Sequence, residues 1–144
     1  MSLDNLSLPF TRSAYEGLPT GGHEHVAYFG VLRVDGDNLV VEYRARRTSM
    51  ATLKSYTCEV QHLVVPLVQL ATAALRRRVF RASLLLLETN TMGVFERHLG
   101  GEGVHCTLAV ARKDAERARA FVAELEDRIT DVQLRRLEGG AGAA

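Results

Sequence analysis

The stretch from Lys113 to Leu137 is the one segment of this chain whose apolar residues keep a helical period over many turns. Ala118, Val122, Leu125, Ile129 and Val132 follow one another at alternating steps of four and three, so a helix here carries a single apolar stripe. Nearly everything before it reads as short strands. A mostly β chain closed by one long amphipathic helix must bury that stripe on its own sheet, on a second copy, or on another protein. Asp114 is placed as N-cap or first-turn residue, and Glu116 adds negative charge where the helix dipole favours it. Arg135 and Arg136 complement the other end, and Gly139-Gly140 is expected to stop the helix. At 1.5 Å per residue, Asp114 to Leu137 spans about 36 Å, more than the cap of a small barrel needs. Its first half is therefore expected to plug the barrel. Ile129, Val132 and Leu137, with Leu134 on an adjoining face, are the expected overhang and point to self-association.

Before the helix, residues 1–24 hold Pro9, Pro19, Gly17, Gly21 and Gly22 and read as an irregular arm, with Leu6, Leu8, Phe10 and Tyr15 able to lay part of it against a sheet. His25–Val34 and Asn38–Arg46 form a β-hairpin about the Asp35-Gly36 turn signal. Leu39, Val41 and Tyr43 alternate toward the core, as do Val26, Tyr28, Leu32 and Val34, while Phe29 and Val31 leave an apolar outer face that calls for a cover. Thr57–Val65 reads as a third strand ended by Pro66, which marks a bulge, bend or edge. Gln69–Arg78 and Arg81–Thr89 are a further strand pair. Asn90–Gly103 is a loop with one helical turn near Val94–His98, and Val104–Ala111 is the last strand. The domain is expected over 25–138, with 139–144 a disordered tail.

The 144 residues suit one domain, and 47% hydrophobic with 24% charged residues is ordinary for a globular fold. A net charge of +1 gives no general field for nucleic acid or anionic lipid, so such binding needs a local patch. The longest uncharged stretch, Leu63–Leu75, carries Pro66, Gln69 and Thr72 and falls short of the roughly 20 residues of a spanning helix, so membrane insertion is not expected. Met1–Phe10 lacks the basic and apolar regions of a secretion signal, and a cytoplasmic location is expected. Cys58 and Cys106 sit in strand contexts and are read as free, buried thiols.

Arg76, Arg77, Arg78 and Arg81 form the densest basic cluster, with Arg76 and Arg78 on one strand face and Arg77 on the other. The bland reading is a solvated surface pairing with acids of the helix or of a partner subunit. Arg33 and Arg44–Arg47 have the basic spacing of a phosphate pocket, but Asp35 and Asp37 in the connecting loop oppose an anion. His23 and His25 share a strand face without a third spaced ligand, so no metal is expected. Gly100–Gly103 lacks the Lys-Ser/Thr of a phosphate loop and leads into a strand. No catalytic pair and no cofactor are assigned.

Several of these stretches together carry a family resemblance. Val65-Pro66-Leu67, Leu75-Arg76-Arg77-Arg78 with its partner Arg81–Leu87, the Gly93-Val94-Phe95-Glu96 to Gly100-Gly101 loop, Thr107–Ala111 and the Arg112-Lys113-Asp114-Ala115 helix opening resemble bacterial pleckstrin-homology-like (PH-like) domains. Gly30–Gly36 running on to Glu42 is similar to their opening hairpin. The resemblance covers roughly residues 25–130 and implies a mainly β (α+β) fold, a partly open antiparallel barrel capped by one long C-terminal helix. The expected function is a non-enzymatic protein-interaction or assembly module, a homo-oligomer with contacts through Phe29, Val31, Ile129 and Val132, or a module for an unidentified protein partner. The alternative is a binding module for anionic lipid or a phosphate-containing ligand through Arg76, Arg77, Arg78 and Arg81. Nucleic acid is not an expected partner.

Overall fold

The computed structural model describes residues 6–18 and 21–142, with side chains as far as Gly139. Strands β1 (Ser7–Gly17), β2 (His23–Asp35), β3 (Asn38–Ser49), β4 (Ser55–Thr57), β5 (Gln61–Pro66), β6 (Leu70–Arg76), β7 (Ser83–Thr89) and β8 (His105–Val110) precede the helix α1 (Ala115–Gly142). All pairings are antiparallel, and the sheet runs β4-β3-β2-β1-β8-β7-β6 with β5 also on β3. It curls into a half-barrel capped by the C-terminal helix, the fold class expected.

The β2–β3 hairpin follows its alternation closely. Val26, Tyr28, Leu32 and Val34 are buried opposite Leu39, Val41, Tyr43 and Ala45. Register pairs Asp35 with Asn38, so the two turn residues are Gly36 and Asp37. Gly36 takes φ +59°, the left-handed conformation that glycine adopts without steric cost. At Gly30, on the inner face, an added Cβ would lie 2.7 Å from the Cβ of Tyr43, so only glycine lets β2 and β3 approach there.

Three sequence expectations are corrected. Ser7–Gly17 is no irregular arm: it is a strand paired along its whole length with β2 and, around Thr11 and Ala109, with β8, and Leu8 and Phe10 lie in the core. Its period is masked because Arg12 and Glu16 share the inward parity with Leu8, Phe10 and Ala14, where polar partners await them. The strand read over Thr57–Val65 is broken at 58–60 into β4 and β5, each paired with a different half of β3. Gly139 and Gly140 do not stop α1, which runs on to Gly142.

Ala118, Phe121, Val122, Leu125 and Ile129 of α1 are buried, and Val132 packs partly against the same core. The helix lies along β6, the 3-10 turn Leu67–Gln69 and part of β1. Each fully buried large apolar side chain stabilises by about 1.5–3 kcal/mol, so α1 is held chiefly by this stripe. Its second half is also pinned: Arg135 reaches Asp37 at 2.9 Å, Arg128 donates to the Gly36 carbonyl at 3.2 Å, and Gln133 donates to the Leu70 carbonyl at 3.4 Å. The overhang expected from Ile129 onward is thus reduced to Leu134 and Leu137, which are exposed. Ile129 is a core residue of its own chain and, contrary to expectation, is not presented for an oligomer contact.

Between β7 and β8 the chain turns inward rather than out. Phe95 and Leu99 are buried, and Leu99 (φ +63°) followed by Gly100 (φ +62°) reverses the direction of the chain. An added Cβ at Gly101 would sit 2.6 Å from the Cβ of Phe95. Turns fill this loop: where one helical turn was expected at Val94–His98, the N–H groups of Glu96 and His98 bond the Gly93 and Phe95 carbonyls, and no longer helix follows.

Candidate anion-binding site

β6 and β7 are joined by a loop of residues 77–82 that projects from the half-barrel. The sequence Arg77-Arg78-Val79-Phe80-Arg81-Ala82 has no Gly, Asn or Asp to supply a left-handed residue, and Phe80 takes that role with φ +60°. A bulky residue held there carries about 1–3 kcal/mol of local strain, offset by the surrounding structure. Arg78 Nε donates to the Ala82 carbonyl at 2.8 Å and closes the loop. Val79 and Phe80 are left 78% and 82% exposed at its tip.

Arg112, from the 3-10 turn Arg112–Asp114 that leads into α1, brings its guanidinium to 5.8 Å from the Phe80 ring centre, within cation–π range. Arg77, Arg78, Phe80, Arg81, Ser83, Arg112 and the first helical residue, Ala115, enclose a depression of about 220 Å³. The start of α1 adds the positive end of its dipole. Among the described residues none of Arg76, Arg77, Arg78, Arg81 or Arg112 has a carboxylate within ion-pair distance. The pairing with helix acids expected of this cluster does not occur.

A strand over Gln69–Arg78 would have set Arg76 and Arg78 against Arg77 on opposite faces. β6 ends at Arg76, however, so Arg77, Arg78 and Arg81 belong to the loop and converge on one depression, while Arg76 stands at the strand end outside it. Arg112, Val79 and Phe80 were not part of the sequence-based site. The readable signal was an apolar pair flanked by arginines and free of any strand's alternation. A guanidinium stays protonated throughout the ordinary pH range, so this set of donors can bind and orient an anion but supplies neither base nor nucleophile.

The Arg33 and Arg44–Arg47 spacing, against which Asp35 and Asp37 already argued, makes no phosphate pocket. Arg33 pairs with Glu42 at 2.9 Å and Asp35 at 3.9 Å, and Arg47 turns inward to Glu24 at 2.8 Å and Glu16 at 3.1 Å. The hydrogen bond that Arg47 donates to the Glu24 carboxylate raises the Arg47 pKa and holds the guanidinium charged. Beside Arg47 lies a second polar cluster, around a cavity of about 210 Å³ that Tyr28, Tyr43, Cys58 and His98 help to line. Tyr43 Oη and His98 Nδ1 are 2.6 Å apart, and Tyr28 donates to Glu16 at 3.0 Å. Burial, reinforced by Glu16, pushes the Tyr28 phenol up to about 12, and burial raises Tyr43 as well. Both are therefore hydrogen-bonding phenols at neutral pH, and among the described residues no buried side-chain polar atom lacks a partner. This network ties the inward loop to β1, β2 and β3.

Phe29 and Val31 are 41% and 37% exposed on the outward side of β2. Cys58 and Cys106 are free thiols, the first half-buried and the second buried. His25 leans on the Tyr15 ring at 5.1 Å. No helix among the described residues is long and apolar enough to cross a membrane. No protein-family model, curated protein or solved structure matches this chain.

Proposed function

We propose that this protein is a non-enzymatic binding module that docks on anionic lipid surfaces through the β6–β7 loop. One observation carries the reading: an exposed Val79-Phe80 tip stands beside Arg77, Arg78, Arg81 and Arg112, none of them paired with a carboxylate among the described residues. Cations beside exposed apolar residues suit a surface whose phosphates lie just above its hydrocarbon. Each arginine near such a surface contributes about 1 kcal/mol, and the valine and phenylalanine add partial burial in the headgroup layer. The net charge of +1 means that this attraction is local to the loop. The resemblance to PH-like domains fits a non-catalytic scaffold with functional loops, and the reading does not depend on it.

The test is co-sedimentation of the full chain with vesicles. Binding is expected to phosphatidylcholine vesicles containing phosphatidylserine, and not to phosphatidylcholine alone. It should fall steeply as salt shortens the Debye length from about 10 Å at 0.1 M toward 3 Å at 1 M. Arg78→Ala with Arg81→Ala should abolish it. Absence of binding at low salt, or equal binding to both vesicle types, would overturn the proposal. Protein contact is the second reading, favoured by the exposed outer face of β2.

A further inference from the structure

We infer that the outward face of β1, β2 and β3 is a two-fold interface between two copies of this chain. Antiparallel register arranges the outward side chains in rows across the strands. One row holds Pro9, Val31 and Glu42, and the next holds Thr11, Phe29 and Arg44. A two-fold axis lying in the plane of contact, across the strands and between these rows, lays each row of one copy on the other row of the second copy. Val31 then meets Phe29, Pro9 meets Thr11, and Glu42 meets Arg44, each contact occurring twice as an isologous interface requires.

The charges of the single chain leave this pairing open. Arg44 is exposed, and among the described residues its side chain has no hydrogen-bond or ion-pair partner. Among the described residues Glu42 uses only Oε1, toward Arg33 at 2.9 Å and His62 at 3.9 Å, which leaves Oε2 for a second cation. In the flanking rows Arg33 would fall on Ala27 and Val40 on Arg46, with no like charges directly opposed. The same outward face continues past Thr11 into Ala109 and Leu84, both half-buried, so the apolar strip does not end at β1. Apolar area and charge are thus self-complementary under one operator, which favours a second copy over an unrelated partner.

Sedimentation equilibrium of the full chain over a range of concentrations tests this, with circular dichroism confirming that each variant is folded. A monomer–dimer equilibrium is expected, and Val31→Glu should yield monomer. Glu42→Arg and Arg44→Glu should each weaken association about tenfold, and the double variant should recover most of that loss. Recovery is the decisive readout, because damage to the sheet alone would add rather than cancel. A monomer at every concentration would overturn the inference. So would association that survives Val31→Glu, or a double variant that binds no better than either single one.

Discussion

Arg12 shows how one inward polar residue can organise a loop far away in sequence. Its guanidinium donates to the carbonyls of Leu99 at 2.6 Å, Thr107 at 2.8 Å and Gly100 at 3.0 Å. The planar fork serves three acceptors at once, which an ammonium on a flexible stem cannot reproduce. Arg12→Ala should therefore lower stability by about 2–3 kcal/mol in urea denaturation, with Arg12→Lys recovering only part. A second residue-level prediction concerns alkali. The Tyr28 phenol, raised to about 12, and the buried Cys106 thiol, raised to about 11 by desolvation, both favour the protonated form when folded. A raised folded pKa gives stability that is complete below the unfolded value and lost as pH climbs through the folded one. Stability should thus hold to about pH 9 and fall between there and pH 12, with Tyr28 contributing to the loss. Urea midpoints at pH 8 and pH 11.5 should differ less in Tyr28→Phe than in the parent chain. None of this was legible in the sequence, because Arg12 and Glu16 look like surface residues until the topology shows what faces them.

The elements were legible wherever alternation or helical period was clean. In β2 and β3 the inward sets Val26, Tyr28, Leu32, Val34 and Leu39, Val41, Tyr43 are the buried ones. The helical stripe of α1 is likewise the core stripe, with Phe121 added. Where polar residues interrupt the period, or irregular backbone interrupts a strand, the pattern failed: β1 was hidden by Arg12 and Glu16, and 58–60 split one apparent strand. The end of α1 lies beyond its glycine pair for another reason. A glycine pair weakens a helix by about 1 kcal/mol per residue but cannot stop one already docked by Arg128, Gln133 and Arg135. Leu125→Ala should cost about 2–5 kcal/mol, since it opens a cavity at a fully buried position. Leu137→Ala, at a 70% exposed position, should change stability by less than about 0.5 kcal/mol. Val132→Asp should lower thermal stability, because Val132 packs partly on the core. Thermal melts of the three variants separate these outcomes.

At the scale of the molecule, the half-barrel is a mount whose loops have unlike fates. The β7–β8 loop folds inward and is consumed as core, with Phe95 and Leu99 buried. The β2–β3 turn is held by Arg128 and Arg135 of the helix. The β6–β7 loop alone among these three exposes a large apolar pair beside uncompensated charge, and it stands next to the start of α1, which fixes Arg112 over Phe80. The basic cluster itself could be read from the sequence. Its convergence could not, because that depends on where β6 ends and on a residue 31 positions beyond Arg81 in the chain. The chain contains no tryptophan, so Phe80→Trp creates a single reporter at the loop tip. Its emission should shift to shorter wavelength on adding phosphatidylserine-containing vesicles at low salt, stay unchanged with phosphatidylcholine alone, and return to the free value at high salt. An emission maximum that never moves with anionic vesicles would contradict a membrane-docking role for the Val79-Phe80 tip.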